Sequence, residues 1–251
     1  MKKKSNTIYK RNFLEKVILR FDFDKIDLDF LNEFSKEIEA YFPIQSQEEA
    51  NDVQIILNQD SGSVQNQKTP FWSYRDINKN KILHISSTHC LIEYSNNSYI
   101  NIDTLIRDIE TILNPFFKKS EINIFNRVGL RYVNRLEFTK KENFKWENFV
   151  NRKLLQSLTF VSKFSKQIKR KLEKIEIIKD NKHINLTHGI INKDYPSINV
   201  RKEYLLDIDA YSAYPLELEL LIDSIKDYNL NIQNIFEESI TDETRNILNK
   251  K

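Results

Sequence analysis

The sequence predicts an α+β fold in two lobes, with largely antiparallel sheets packed against amphipathic helices. Segments of alternating apolar residues and segments of helical spacing follow one another as strand, helix, several strands, helix, strand, further strands and closing helices. This order lacks the regular alternation of a doubly wound sheet. The 251 residues, 40% of them hydrophobic, suffice for a buried core. We expect lobes at residues 1–140 and 141–251, packed as one unit, with a boundary in the polar stretch Thr139 to Lys145.

The amino-terminal lobe begins with a strand and a helix. Apolar and polar residues alternate strictly from Lys16 to Asp24, which predicts a half-buried strand. Apolar residues three or four positions apart then predict an amphipathic helix, which Asp27 or Asp29 caps and Pro43 terminates. The apolar residues of these two elements are Val17, Leu19, Phe21, Phe23, Leu31, Phe34, Ile38 and Tyr41.

An antiparallel meander and a second helix follow. Between Asp52 and Tyr94, runs rich in Val, Ile, Tyr and Trp are separated by turn-forming residues at Asp60–Gln67 and Asn78–Lys81. From Ile102 onward, apolar residues recur with helical spacing until Asn114-Pro115 ends the pattern.

The segment RVGLRYVNR carries an arginine at every fourth position, a spacing that fits one face of a helix or of a strand. We predict a strand, because its apolar residues alternate and Gly129 is unfavourable inside a helix. On a strand, Arg127, Arg131 and Arg135 share one face with neighbours about 13 Å apart. The reverse face is apolar.

Two interpretations of this arginine row remain open. The side chains can pair with carboxylates of adjacent strands, as opposite charges in sheets commonly do. Alternatively, the row can bind an extended anion such as a single-stranded nucleic-acid backbone, with nearby aromatic residues stacking on the bases. A single phosphate is too small to bridge all three arginines.

The carboxy-terminal lobe is predicted to hold a short helix near Trp146, strands from Leu158 to Tyr211, and closing helices. Lys179–Lys182 is predicted to form a hairpin turn, Pro215 suits the first turn of a helix, and the helical pattern restarts near Thr241. The terminal segment IFEESITDETRNIL is expected to pack on its own sheet or to form a dimer or partner interface. KVILRFDFD and EYLLDIDAY share their pattern, which is consistent with a diverged duplication.

Two pairs of carboxylates are the candidate acidic sites. Asp22 and Asp24 are expected on one strand face, as are Asp207 and Asp209, about 7 Å apart within each pair. Such pairs can hold Mg²⁺ or divide acid and base roles, but they can equally be the partners of the arginine row. A third metal ligand is not identifiable, so we assign no metal site.

Other chemistry-bearing residues give no constellation. His84 and His89 are five residues apart, as are His183 and His188, a separation that places the rings on different faces. Cys90 shares a strand face with Ile92 and Tyr94 and is expected in the core. The chain contains no nucleophile elbow, Walker loop, zinc-protease motif or dinucleotide fingerprint. We therefore expect no cofactor, and whether the protein is an enzyme stays open with the balance against it.

Charge and cysteine content indicate the compartment and the partners. The net charge of +3, from 39 basic and 36 acidic residues, is too small for a whole surface that tracks phosphates, so any anion site must be local. One cysteine excludes an internal disulfide. The basic start lacks an apolar signal segment, and 18 apolar residues never occur together. These features predict a cytoplasmic protein without a membrane partner.

Four blocks resemble a sporadically distributed, uncharacterised family of bacterial and archaeal proteins of about this length: NFLEKVILRFDF, RVGLRYVNRLEF, EYLLDIDAY and IFEESITDETRNIL. The resemblance covers nearly the whole chain, and its most specific block is Arg127 to Arg135. It implies a shared fold with the arginine strand at the centre. Patchy distribution is typical of mobile or defence-associated genes. The second lobe also resembles the SecB-type chaperone in its order of elements.

The leading expectation is a non-catalytic cytoplasmic protein whose sheet surface and terminal helices bind a protein partner. An accessory, antitoxin-like or chaperone-like factor of a prokaryotic antiviral defence or conflict system fits this description. The alternatives are a nucleic-acid-binding protein that uses Arg127, Arg131 and Arg135, and a metal-dependent nuclease or phosphotransferase that uses Asp207 and Asp209. A homo-oligomer is compatible with each of them.

Overall fold

The computed structural model confirms the α+β class. Among the described residues, nine strands form one large antiparallel sheet in the order β2-β3-β4-β5-β1-β7-β10-β9-β8, and two short strands, β6 and β11, pair separately. The structure describes residues 9–58, 61–138, 144–160, 163, 168–192, 196 and 202–249.

The strands are bounded as follows: β1 Leu14–Asp22, β2 Ile44–Asn58, β3 Ser61–Arg75, β4 Lys81–Ile85, β5 His89–Ser95, β6 Ile124–Phe125, β7 Arg127–Phe138, β8 Lys171–Lys179, β9 Lys182–Ile191, β10 Lys202–Ser212 and β11 Leu216–Glu217. The α-helices are α1 Leu31–Ile38, α2 Ile102–Asp108, α3 Asn114–Lys119, α4 Gln156–Phe160, α5 Leu221–Ser239 and α6 Asp242–Asn249. In the described part of the chain, no helix is both long enough and apolar enough to span a membrane.

The chain divides into two compact units. The C-terminal unit comprises Met1–Val17, Gly129–Tyr214 and Leu220–Lys251, and the N-terminal unit comprises Ile18–Val128 and Pro215–Glu219. The boundary expected at Thr139 to Lys145 falls largely on residues 139–143, which lie outside the described residues.

The N-terminal unit contains the predicted meander and an aromatic core. β2, β3, β4 and β5 pair consecutively and antiparallel, with the predicted turn at Asn78–Lys81 joining β3 to β4. Phe21 of β1 packs against Phe117 and Phe125 at ring-centroid distances of 5.1 and 5.3 Å. The predicted alternation of β1 is confirmed, since Val17, Leu19 and Phe21 are buried within the strand, and Phe23 just beyond its end is buried as well.

The helix after the meander does not end at Asn114-Pro115, contrary to the prediction. A π-helical turn at Ile109–Leu113 connects α2 to α3, and the Asn114 N–H donates to the Ile109 carbonyl five residues earlier. Pro115 occupies the first turn of α3, where its missing N–H leaves no hydrogen bond unmade. The widened turn therefore lets the helical path continue to Lys119.

Other boundaries also differ from expectation. Of the predicted turn Asp60–Gln67, Ser61 to Gln67 belong to β3 and are paired with β2, and Asp60 lies outside the described residues. Phe30, without a side-chain hydrogen bond, occupies the N-cap of α1, and Asp27 instead accepts from the N–H of Asp29. Pro215 precedes β11 rather than a helix, and residues from Gln156 to Phe160 are helical rather than extended.

The C-terminal unit packs helices on one face of β7, β10, β9 and β8. α5 lies on the face that carries Tyr132, whose hydroxyl donates to Asn229 Oδ1 at 2.8 Å. The register of this face continues from Tyr132 to Ile208, Leu186 and Ile175 on successive strands. The predicted restart of the helix near Thr241 is confirmed, because α6 begins at Asp242.

Candidate functional site

The arginine segment is the strand that the sequence predicts. Along β7 the apolar side chains alternate with the arginines, and Val128, Leu130, Tyr132, Leu136 and Phe138 are buried. Arg127, Arg131 and Arg135 thus project from the opposite face of β7. The prediction that the three arginines share one face of a strand is confirmed.

Arg131 makes a two-pronged ion pair with Asp207 of β10. Its Nε donates to Asp207 Oδ1 at 2.8 Å and its Nη2 to Asp207 Oδ2 at 2.6 Å. Hydrogen bonding to Asp207 raises the pKa of Arg131. The planar fork matches both carboxylate oxygens, so this pair has the geometry that arginine would otherwise offer to a phosphate.

The other two arginines also face carboxylates. Arg127 Nη1 lies 3.6 Å from Asp22 Oδ2. Arg135 Nη1 lies 3.4 Å from Glu15 Oε1, and its Nε lies 3.9 Å from Glu203 Oε1. The structure thus realises cross-strand pairing, whereas the binding of an external anion stays a prediction.

The first acidic pair does not share a strand face. Asp22 is the last residue of β1 and accepts from Arg20 Nε at 2.8 Å. Asp24 lies beyond the end of β1, where its Oδ1 accepts from Asn126 Nδ2 at 2.9 Å. Asp24 lies at a bend outside the strand, so β1 does not carry both carboxylates.

The second acidic pair is on one face of β10 as predicted. Asp209 is the register partner of Arg131, and Asp207 is the register partner of Val133 on β7. Within the residues that the structure describes, no group of three or more His, Cys, Asp or Glu side chains is arranged to hold a metal ion. The carboxylate of Asp207 is instead occupied by the guanidinium of Arg131.

Cys90 lies in the interior of the N-terminal unit, and His84 is half-buried there. The Cys90 side chain is fully buried with Ile92 and Tyr94, as expected, and burial raises the pKa of its thiol. Burial lowers the pKa of His84. His89 Nδ1 lies 2.8 Å from Ser86 Oγ, at the tight connection that precedes β5.

A buried polar network that sequence reasoning did not identify joins β8, β9 and β10. His188 is 1% exposed, and its Nδ1 lies 2.8 Å from the hydroxyl of Tyr204. Its Nε2 lies 3.6 Å from Glu173 Oε2, which also contacts Lys171 Nζ at 2.6 Å. Burial lowers the pKa of His188. In this network the buried His188 and Tyr204 side chains serve as hydrogen-bond partners for each other, as buried polar groups require.

The C-terminal unit contains a groove of about 610 Å³, here called the C-terminal groove. One wall is β8 and β9, and the other comprises the 3₁₀ turn at Arg152–Leu155, the end of α5 and α6. Ile177 is 38% exposed at this site. The apolar lining residues are Leu154, Ile177, Leu186, Ile235 and Ile240.

Polar groups of the C-terminal groove are largely engaged with one another. Arg245 Nε donates to Glu237 Oε2 at 2.9 Å, and Asn151 Nδ2 donates to the Glu238 carbonyl at 2.7 Å. Lys153 and the Glu238 side chain are exposed at its margin. The groove therefore offers apolar contact on its walls and two opposite charges at its edge.

Sequence reasoning missed this groove because its lining comes from separated stretches of the chain. Only one local signal points to it. Ile177 and Ile178 are adjacent in KIEIIK, so one strand carries apolar side chains on both faces. Such a strand at a sheet edge indicates contacts beyond its own sheet face.

Comparison of the sequence with protein-family models and with curated proteins finds no match to either.

Proposed function

We propose that this protein is a non-catalytic binding protein that holds a segment of another protein in the C-terminal groove. The observation that carries the proposal is the partly exposed apolar lining between β8 and the C-terminal helices, with Ile177 at 38% exposure. A groove between a sheet and helices is a common place for an apolar peptide segment to dock. A cytoplasmic, chaperone-like or antitoxin-like role belongs to the same proposal.

The chemistry of the groove favours a protein segment over a small polar ligand. Small-molecule sites present a few convergent polar groups that orient the ligand. Here the charged groups of Arg245 and Glu237 neutralise each other, which leaves apolar contact as the main attraction. The expected occupant is a segment with apolar side chains directed into the groove. A flanking acidic and a flanking basic residue would meet Lys153 and Glu238.

The arginine row supports nucleic-acid binding less well. Each arginine already has a carboxylate oxygen within 4 Å, so a phosphate must displace Glu15, Asp22 or Asp207 before it can bind. Displacement leaves an acidic group beside the incoming anion, which repels it. The acidic neighbours thus oppose the binding of an anion by the row.

Site-specific crosslinking in the native cell tests the proposal. A photoreactive amino acid replaces Lys153 at the groove margin or, as the matched control, Ile77, which is 76% exposed in the N-terminal unit. We expect a covalent adduct with one partner protein from position 153 and not from position 77. Mass spectrometry of the adduct identifies the partner and the segment that is attached.

Two outcomes oppose the proposal. A position-153 probe that yields no protein adduct, while both labelled proteins are present and folded, would show that the groove is empty of protein. Attachment of the same protein at positions 153 and 77 with equal yield would show contact that is not specific to the groove.

A further inference from the structure

The outermost strand of the C-terminal unit has an unusual surface. β8 ends the described order of the large sheet, and it pairs with β9 on one side only. Its exposed apolar residues are Leu172, Ile175, Ile177 and Ile178, with exposures of 49%, 42%, 38% and 73%. Edge strands of soluble proteins usually carry charges or bulges that prevent pairing with another chain. β8 also carries five charged residues, but they are of both signs and are interspersed with the four large apolar residues, so this edge suits a partner strand that has the complementary pattern.

We infer that this partner is the β8 strand of a second copy, paired antiparallel about a two-fold axis at Ile175. In this register Leu172 faces Ile178 of the other copy, and Lys174 faces Glu176. These four side chains share the sheet face opposite to the C-terminal groove, because Ile177 lines the groove and strand residues alternate. The proposal therefore does not depend on the proposed function.

The face is complementary to itself after the two-fold rotation. From Leu172 to Ile178 it reads apolar, basic, acidic, apolar, so each apolar residue meets an apolar one and each charge meets its opposite. Lys174 and Glu176 already form an ion pair within one strand, which pairing would extend into a four-membered alternation of charge. An interface that places the same patch on both subunits is the usual arrangement of a homodimer.

The neighbouring registers are unfavourable. A shift by two residues in one direction places Glu176 opposite itself, and a shift in the other direction places Lys174 opposite itself. In the proposed register the central pair is Ile175 with its copy, on the groove side of the sheet. The only like charges brought together are Lys171 and Lys179 at the strand ends, and Lys171 is held by Glu173 at 2.6 Å.

The oligomeric state of the full chain tests the inference. A single strand pair buries less than the about 1,200 Å² of a standard interface, so we expect a dimer that dissociates on dilution. Sedimentation velocity from roughly 1 to 100 µM should show a shift from 30.0 kDa to twice that mass. Ile178→Lys should raise the dissociation constant at least tenfold, whereas the matched control Ile77→Lys should leave it unchanged, since both side chains are exposed.

A charge exchange tests the register itself. Lys174→Glu places an acidic residue opposite Glu176 of the other copy, and it does so twice because of the two-fold symmetry. This variant should therefore weaken the dimer, and adding Glu176→Lys should restore it. Circular dichroism checks that each variant is folded. A chain that stays monomeric across the whole range, a dimer unaffected by Ile178→Lys, or an exchange that fails to restore pairing would each overturn the inference.

Discussion

At the residue scale, the arginines of β7 differ in how exposed the carboxylate is that each would leave unpaired if it were removed. Arg131 is 46% exposed and pairs with Asp207 at the surface. Arg135 lies within 3.9 Å of Glu203, a carboxylate that is only 3% exposed. Removal of a cation near a buried carboxylate costs more than loss of a surface pair, because the remaining charge stays in a poorly solvated position.

We therefore predict unequal effects of two alanine substitutions. Arg131→Ala should lower the free energy of unfolding by no more than about 1 kcal/mol. Arg135→Ala should lower it by about 2 to 3 kcal/mol, and Glu203→Gln in the Arg135→Ala background should recover part of the loss because it removes the buried charge. Urea denaturation at neutral pH measures all three. Equal losses for the two alanine variants would contradict this account of the row.

The buried His188 and the half-buried His84 make stability depend on pH. Burial lowers the pKa of His84 and of His188, so the unfolded chain binds protons at a higher pH than the folded chain does. Their contribution to stability is full above the unfolded pKa of about 6.5 and is lost as the pH falls below it. At His188 the facing groups are Tyr204, Lys171 and Glu173, of which Glu173 opposes the shift.

The free energy of unfolding should accordingly fall between pH 7.5 and pH 5.5. His188→Gln removes one titrating group, so its stability should change less over this interval than that of the unsubstituted chain, although it is less stable at pH 7.5. Denaturation at both pH values measures the difference. An identical pH dependence in the variant would show that His188 does not contribute.

At the scale of elements, strands with regular alternation could be predicted from the sequence and termini often could not. β1 and β7 follow from the two-residue period, because a half-buried strand must place apolar residues on one side. The π turn before Pro115 could not be predicted, since proline usually ends a helix and the compensating i to i−5 bond depends on packing. Tertiary context also overrode the turn composition of Asp60–Gln67, most of which pairs in β3.

The β8–β9 pair depends on one glycine. Gly189 has φ of +148°, and a Cβ at this position would lie 1.8 Å from the Lys171 carbonyl oxygen. Main chain must move to admit any side chain, so Gly189→Ala should destabilise the C-terminal unit by about 2 kcal/mol or more.

Thr187→Ala, on the same face of β9, is the matched control for this substitution and should cost less than about 1 kcal/mol. Hydrogen exchange of β8 amides should accelerate in the glycine variant alone. A Gly189→Ala protein with unchanged stability and exchange would contradict the close approach of β8 to β9.

At the scale of the whole molecule, the α+β class followed from the order of elements, but the candidate site did not follow from any motif. Of the residues singled out in the sequence, Arg131 pairs with Asp207, and Arg127 and Arg135 lie near other carboxylates. The C-terminal groove is lined by residues that are far apart in the chain, among them Leu154, Ile177 and Ile235. Only three-dimensional packing brings such residues together, so periodicity cannot reveal them.

The two proposals depend on different side chains and so can be separated by substitution. The C-terminal groove involves Ile177 and the helices, whereas self-pairing depends on Leu172, Lys174, Glu176 and Ile178. Ile178→Lys should raise the dissociation constant of the dimer at least tenfold and leave groove binding intact. A protein that loses both properties through this substitution would indicate that partner binding requires the dimer.

The most direct test of the central claim is the affinity of the crosslinked partner for the purified protein with and without an altered groove. Calorimetric titration should show that the partner binds the unsubstituted chain. For Ile235→Asp, which places a charge in the apolar lining, the dissociation constant should be at least tenfold higher. Lys153→Glu, on the exposed margin, should weaken binding less while leaving the fold intact. Equal affinity for the unsubstituted chain and both folded variants would contradict the assignment of the C-terminal groove as a protein-binding site.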